Sequence, residues 1–246
     1  MRRFAALSAV LLALSAIPAH AQVSTVVTEE VIEEEVVSDP GSDRFVSAGE
    51  PSSVPHGIAA YGPFRVIDER HAALVGVTDE RSPAAFSAML AAHPGIATLE
   101  LVECPGTDDD RSNLKLGRMI HARGLATHVP DGGSVRSGAV ELFLAGVRRS
   151  AERGAEFAVH AWADEDGREP KDYPANAPEN RAYIDYYREM GMSGIEAQAF
   201  YDMTNSVPNA SARWLNAAQM GQWVRMGTQN DAVAAAPSLD SGRALR

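Results

Sequence analysis

Hydrophobic and polar positions alternate in short blocks between residues 64 and 227, and each block has the period of one kind of element. Runs in which apolar residues recur at every second position, or stand together over a few positions, predict strands. These runs cover 64–78 (two strands joined by a charged turn), 96–104, 125–130 and 155–162. Runs with apolar residues on one helical face predict helices over 82–95, 108–124, 137–147, 179–191, 194–205 and 211–227.

The order of these elements is strand, helix, strand, helix, strand, which is the pattern of an α/β fold with a parallel core. Ser82, followed by Pro83, has the residue type of an N-cap at the start of the helix over 82–95. About 170 residues of mixed apolar pattern are enough to bury one core. We therefore expect a single domain over residues 57–228, without an internal repeat.

The first 21 residues have the features of a secretory signal peptide. A basic start, Arg2-Arg3, precedes an apolar run that ends at the small-residue site Ala19-His20-Ala21. We therefore expect residues 1–21 to be removed on export, which in a bacterium places the protein in the periplasm. Residues 22–56 are acidic and poor in apolar side chains, so we predict a disordered linker there and a flexible tail over 229–246.

Charge and cysteine content exclude several classes of function. The formal net charge is −11, and it becomes −13 when the two arginines of the signal segment are removed. Such a protein is not expected to bind nucleic acid or an anionic membrane, and no segment after residue 21 approaches the ~18 apolar residues of a membrane span. Cys104 is the only cysteine, so we interpret it as a small buried residue rather than part of a disulfide or a zinc site.

Acidic residues at the start of one predicted helix are the only candidate for a cation site. Asp108, Asp109 and Asp110 are adjacent, and carboxylates suit magnesium or calcium. They also suit the positive end of the dipole of the helix that follows, which is the interpretation we favour. The sequence implies no metal and no organic cofactor.

Three short segments fall at the ends of predicted strands, where open α/β sheets place their ligands. They are Pro105-Gly106-Thr107, Ser137-Gly138 and His160. A nucleophilic serine needs a histidine to accept its proton and two backbone N–H groups aimed at the developing oxyanion. Ser137, His160 and the amides of Thr107 and Gly138 can fill these roles. The alternative is that Ser137 only caps the following helix, because serine is a preferred N-cap.

The ordered set LVECPGT, LKLGRMIHARGLATHV, SVRSGAVELFLAG and GAEFAVHAW resembles the Clp-type serine proteases, which share the crotonase-like superfold. In that family a Pro-Gly-Gly turn supplies one oxyanion amide, the serine opens the next helix, and the histidine ends the next strand. Pro105-Gly106, Ser137 and His160 match these positions, and Ala145-Gly146 follows the serine at the family's spacing. The resemblance spans residues 64–227 and is closest to periplasmic proteins of Clp-protease-like fold. It implies repeated ββα units, serine hydrolysis and a homo-oligomer.

Two positions depart from the family's pattern. Thr107 replaces the second turn glycine, so the amide remains while the conformational freedom of glycine does not. The family's acid sits just before an Arg-aromatic-Leu segment, and Ala212 stands at that position here. Three solutions stay open: a Ser-His dyad, a carboxylate from Asp202, or a polar substitute such as Asn209 or Ser211.

These features give three hypotheses from different classes. The first is an exported serine hydrolase, specifically a peptidase, that acts on a peptide or protein substrate with Ser137, His160 and, as the candidate third member, Asp202. The second is a catalytically inactive Clp-fold protein that binds or assembles in the periplasm, which the alanine at the acid position supports. The third is crotonase-like acyl-CoA chemistry, which export disfavours because acyl-CoA is a cytoplasmic metabolite.

Overall fold

The computed structural model describes residues 52–227, all of which lie within one compact unit of the chain. Its strands are β1 (Ala59–Tyr61), β2 (Phe64–Val66), β3 (His71–Leu74), β4 (Thr98–Leu101), β5 (Glu103–Cys104), β6 (Ala126–Val129), β7 (Ser134–Arg136), β8 (Arg148–Ala151), β9 (Glu156–Val159) and β10 (Arg213–Asn216). Its helices are α1 (Ser82–Ala92), α2 (Asp110–Ala122), α3 (Ala139–Leu144), α4 (Pro178–Glu189), α5 (Gly194–Thr204) and α6 (Ala217–Met220).

The strands form two sheets with parallel interiors. The larger sheet has the order β1-β2-β3-β4-β6-β8, in which the β1-β2-β3 end is antiparallel and the remaining pairs are parallel. The smaller sheet has the order β10-β9-β7-β5, in which β5, β7 and β9 are parallel and β10 runs antiparallel to β9. The parallel interior is the arrangement that the strand–helix alternation predicted.

Three consecutive strand–strand–helix units build the parallel core. They are β4-β5-α2, β6-β7-α3 and β8-β9-α4; in each unit the first strand joins the larger sheet and the second joins the smaller one. Helix α3 contacts strands of both sheets. The predicted fold class, a single α/β domain of repeated ββα units, is therefore confirmed.

Aromatic side chains hold the helices against the sheets around the site described below. Phe143 of α3 packs on Phe157 of β9, and Tyr187 of α4 packs on Phe200 of α5, each pair with ring centroids 5.0 Å apart. Gly117 allows α4 to approach α2 closely, because a Cβ at this position would lie 2.0 Å from a tyrosine hydroxyl of α4. The hydroxyl of Tyr186 in α4 also donates to Glu141 O at 2.6 Å, which places α4 beside the first turn of α3.

Several local predictions differ from the structure. The run over 96–104 is two strands in different sheets, β4 and β5, rather than one strand. The helix predicted over 137–147 is shorter, since α3 covers Ala139–Leu144. Ser82 is not an N-cap: Arg81 occupies that position, and the Ser82 hydroxyl instead donates to Asp79 Oδ1 at 3.0 Å.

The largest difference lies in residues 211–227, which were predicted to be one helix. Residues Arg213–Asn216 form β10, paired with β9 so that Arg213 lies opposite Val159, and only Ala217–Met220 are helical. The exposed edge of β9 supplies backbone hydrogen bonds that local sequence preference does not anticipate, and these override the helical pattern. Strands β1, β7 and β8 were also absent from the prediction.

The signal segment over 1–21, most of the linker over 22–56, and the tail over 229–246 lie outside the described residues. Ser52, at the end of the predicted linker, is hydrogen-bonded to the domain: its N–H donates to Gly132 O at 3.0 Å and its hydroxyl to Asp131 O. Contacts with the domain therefore start before the predicted boundary at residue 57. Between residues 52 and 227, no helix is both long enough and apolar enough to span a bilayer.

Candidate active site

Three neighbouring parallel strands of the smaller sheet end at one edge, and each is followed by one of the predicted site residues. Thr107 comes shortly after β5, Ser137 directly after β7, and His160 directly after β9. Together with Gly138 they line one cavity of about 180 Å³. The structure thus brings together four of the five site residues that the sequence indicated, at the carboxyl ends of parallel strands.

Ser137 has an unusual backbone conformation. Its φ is 51°, the only positive φ of a non-glycine residue between positions 52 and 227, and this left-handed region costs such a residue about 1–2 kcal/mol. Its N–H donates to Ala158 O at 2.9 Å, which ties the turn to β9. Gly106 lies directly behind it, because a Cβ on Gly106 would approach the Cβ of Ser137 to 2.9 Å.

The alternative that Ser137 caps a helix is wrong for α3. Gly138 is the N-cap of that helix, and no side chain caps it. A strained serine that does not cap its helix matches the geometry of nucleophiles held on a sharp strand-to-helix turn. Because Ser137 does not cap α3, helix capping does not explain its strained backbone, and a role in the site does.

The Thr107 and Gly138 amides flank Ser137. Gly138 packs so closely on Thr107 that a Cβ at position 138 would lie 2.5 Å from Thr107 Cγ2. Within residues 52–227, neither the N–H of Thr107 nor the N–H of Gly138 donates a hydrogen bond to a backbone carbonyl. Two adjacent amides that the fold leaves available, next to a serine, are the donors that an oxyanion hole requires.

Two buried residues that the sequence analysis missed hold these amides in place. Asn113 Nδ2 donates to Gly138 O at 2.6 Å, and Thr78 Oγ1 donates to Asn113 Oδ1 at 2.9 Å. The Thr78 backbone also fixes the turn before α2, since its N–H donates to Gly106 O at 3.1 Å and its carbonyl accepts from Asp108 N at 2.8 Å. The only advance signal for Asn113 was an amide in the first turn of an otherwise amphipathic helix.

His160 is oriented through its Nδ1 atom. This nitrogen lies 2.8 Å from Ala161 O, which can only accept, so Nδ1 carries the proton and Nε2 carries the lone pair that a general base requires. Asn209 Nδ2 donates to the same carbonyl at 2.9 Å and lies 3.3 Å from His160 Nδ1. Asn209 is held in turn by its own N–H, which donates to Glu169 Oε1 at 2.9 Å.

The structure separates the candidates for the third member. Asp202 is exposed on α5 with its Oδ1 accepting from Gln198 Nε2 at 2.9 Å, and it does not line the cavity. Ser211 is exposed as well. Asn209 lines the cavity and contacts His160, which agrees with the possibility that a polar residue replaces the acid. Ala212 precedes Arg213, which lies opposite Val159, so the register places the alanine across from His160.

A buried carboxyl group that the sequence analysis did not single out also lines the cavity. Glu141 is only 6% exposed, and its Oε1 accepts from Tyr187 Oη at 2.7 Å. Burial raises the pKa of this carboxyl to about 7, the Tyr187 hydrogen bond opposes that rise, and the charge of Asp110 adds to it. The advance signal was a single carboxylate inside the apolar run VELFLA.

Asp109 and Cys104, the candidates for a cation site and a reactive thiol, have contacts that point to structural roles. Asp109 is the N-cap of α2, and its side chain accepts from Ser112 N at 2.5 Å. Cys104 is buried with its thiol 3.4 Å from Leu74 O, and burial raises the pKa of the thiol. Within residues 52–227, no group of three or more His, Cys, Asp or Glu side chains could hold a metal ion.

Comparisons with known proteins bear on the fold alone. No family model and no curated protein matches the chain. Among solved structures, a ClpP1 mutant from Listeria monocytogenes is 17% identical, with a TM-score of 0.44 over 68% of this chain and 95% of that one. Two mutants of the 1510-N membrane-bound stomatin-specific protease are 13% and 11% identical, with TM-scores of 0.43 and 0.44. They cover 63% and 66% of this chain, and 74% and 81% of their own.

Proposed function

We propose that the protein is a serine hydrolase, and specifically a peptidase, with Ser137 as the nucleophile. The observation that carries the proposal is the backbone of Ser137, held in a left-handed conformation between Gly106 and Gly138 at the edge of a cavity that His160 also lines. Backbone strain of this kind clusters at active sites and ligand-binding sites, where it is part of the function.

The chemistry follows from the positions of the groups. Ser137 Oγ attacks a carbonyl carbon while His160 Nε2 accepts the hydroxyl proton, and the N–H groups of Thr107 and Gly138 donate to the resulting oxyanion. His160 then gives the proton to the leaving group, and water releases the acyl group by the same steps in reverse. Proton transfer requires Nε2 and Oγ to come within about 3.2 Å when substrate is bound.

His160 has an amide beside it instead of a carboxylate, so we expect an enzyme with a low kcat. Asn209 helps to fix the His160 ring through their shared contact with Ala161 O, but it cannot neutralise the imidazolium that forms during the reaction. Losing the carboxylate of a true triad costs about 10⁴ in kcat. A Ser-His pair oriented by an amide is therefore the arrangement that we propose.

Location and assembly are part of the same proposal. The basic start and the Ala19-His20-Ala21 site of the leader support export to the periplasm, where peptides and proteins are the available substrates. Mass spectrometry of the exported material should find a chain that begins at Gln22, and an intact Met1 would contradict export. A homo-oligomer is proposed from the family resemblance, and sedimentation of the purified protein tests it.

The hydrolase proposal is tested by the kinetics of a nitrophenyl ester. An acyl-enzyme predicts a burst of nitrophenol of at most one equivalent per chain, followed by slow turnover. Ser137→Ala should abolish the burst, while Asp202→Asn, a polar change on α5 outside the cavity, should retain it. Equal rates for the wild type and Ser137→Ala would instead favour the second candidate function, a binding module without catalysis, which the missing carboxylate supports.

A further inference from the structure

The cavity continues from Ser137 into a pocket with two carboxyl groups and two phenols, which we call the carboxylate pocket. It is lined by Asp110, Glu141, Tyr183 and Tyr187. Glu141 follows Ser137 by four residues and lies in the first turn of α3, which begins at Ala139. Tyr187 Oη donates to Glu141 Oε1 at 2.7 Å, so this buried acid has one neutral hydrogen-bond donor.

The charge of this pocket is not balanced by a basic side chain of the described residues. Among residues 52–227, no lysine, arginine or histidine forms an ion pair with Asp110 or Glu141, although nine other ion pairs are present there. No lysine or arginine lines the cavity, and His160 is its only basic side chain. Buried charges are normally paired, because an isolated one is expensive to desolvate. Glu141 is 94% buried and accepts a hydrogen bond from the neutral phenol of Tyr187, so when it is ionised no basic side chain among residues 52–227 pairs with its charge.

The shape and the remaining walls suit a cation carried on an apolar stem. The rings of Trp162 and Tyr183 are stacked with an interplanar angle of 9°, and both line the cavity. Aromatic faces attract an ammonium or guanidinium group and also pack on the methylenes that carry it. The cavity of about 180 Å³, which the carboxylate pocket shares with Ser137 and His160, has room for a long side chain.

We propose that the carboxylate pocket is the specificity site of this hydrolase and takes a cationic substrate side chain, an ammonium or a guanidinium, next to the carbonyl that Ser137 attacks. Glu141 binds the charged head, Asp110 adds a second negative charge, and the ring faces of Trp162 and Tyr183 contact the stem. This inference rests on the proposed function, because it assigns the pocket to the residue beside the cleaved bond.

Binding to an inactive variant tests this specificity without requiring turnover. The full chain carrying Ser137→Ala is titrated calorimetrically at pH 8 with acetyl-Ala-Ala-Lys-amide, with its arginine analogue, and with its norleucine analogue, which keeps the carbon stem of lysine but has a hydrogen in place of the ammonium. We expect the two cationic peptides to bind at least about tenfold more tightly than the norleucine peptide, the effect of one charge-assisted hydrogen bond. Adding Glu141→Gln should reduce this preference to less than about threefold, since a neutral amide replaces the carboxylate.

Asp202→Asn provides the matched control, because it removes an exposed carboxylate outside the cavity and should keep the full preference. Equal binding of lysine and norleucine peptides would overturn the inference, and so would a lysine preference that survives Glu141→Gln or the absence of binding by every peptide at millimolar concentration. The hydrolase proposal has its own readout in the ester burst of the wild type. A burst without a preference for cationic peptides would therefore reject this inference alone.

Discussion

Replacing Glu141 by glutamine is expected to remove a pH-dependent loss of stability. The carboxyl has a pKa of about 7 in the folded protein against an ordinary value of 4.5. Below pH 4.5 it is protonated in both the folded and the unfolded chain and contributes nothing. Between these values the unfolded chain binds fewer protons, so the free energy of unfolding falls as the pH rises. Above pH 7 both states are ionised, and the loss is complete.

The size of this effect follows from the two pKa values. Each pKa unit corresponds to about 1.36 kcal/mol, so the ionised Glu141 costs the folded protein about 3 kcal/mol at pH 8. Glutamine keeps an oxygen that can accept the Tyr187 hydrogen bond but has no charge to desolvate. We therefore expect Glu141→Gln to resemble the wild type near pH 4.5 and to be more stable by about 3 kcal/mol at pH 8.

Urea denaturation between pH 5 and pH 8 measures this difference directly. Subtracting the wild-type curve from that of the variant cancels the contributions of all other titrating groups. Glu165→Gln serves as the control, because it makes the same substitution at an exposed position. A flat curve for Glu141→Gln, or a variant that becomes less stable as the pH rises, would refute the assignment of a desolvated carboxyl at this position.

Three further predictions follow from the geometry of the site. Ser137→Gly should be more stable to urea than Ser137→Ala by about 1 kcal/mol, because only glycine adopts φ near 51° without strain; the reverse order would contradict the strained turn. Gly138→Ala should lower ester turnover by displacing Thr107, and Thr107→Ser, which removes the clashing Cγ2, should restore part of it; a double variant slower than Gly138→Ala alone would refute this. Asn209→Ala should lower kcat about tenfold, the effect of losing one hydrogen bond, with little change in KM. The kcat of Asp202→Asn should stay within about twofold of the wild-type value. Equal losses of kcat in the two variants would place Asp202 in the mechanism.

The strand-end positions of the site could be predicted because local signals mark them. Pro105-Gly106 is a turn sequence that ends one apolar run, and His160 lies at the end of another. Ser137-Gly138 is a turn sequence that opens the next apolar run, although β7 before it was not predicted. Strand–helix alternation implies parallel strands, and parallel strands bring their carboxyl ends to one edge. Three separate segments could therefore be assigned to one site from the sequence alone.

The residues that complete the site carried weaker signals. Asn209 reaches His160 from a loop 49 residues further along the chain, and its position depends on the pairing of β10 with β9. That pairing is a tertiary effect, and residues 211–227 looked helical without it. Glu141 stands in an apolar run where a single carboxylate is easily attributed to a solvated helix face, and only the packing of α4 on α3 shows that it is buried.

The central claim, that Ser137 is an activated nucleophile, is tested most directly by covalent labelling with a fluorophosphonate probe. The purified protein is incubated with the probe, digested and analysed by mass spectrometry, alongside Ser137→Ala and His160→Ala. We expect one adduct, on Ser137, which is absent from Ser137→Ala and forms far more slowly in His160→Ala because the base is missing. No adduct on Ser137, or an equal labelling rate in His160→Ala, would contradict it.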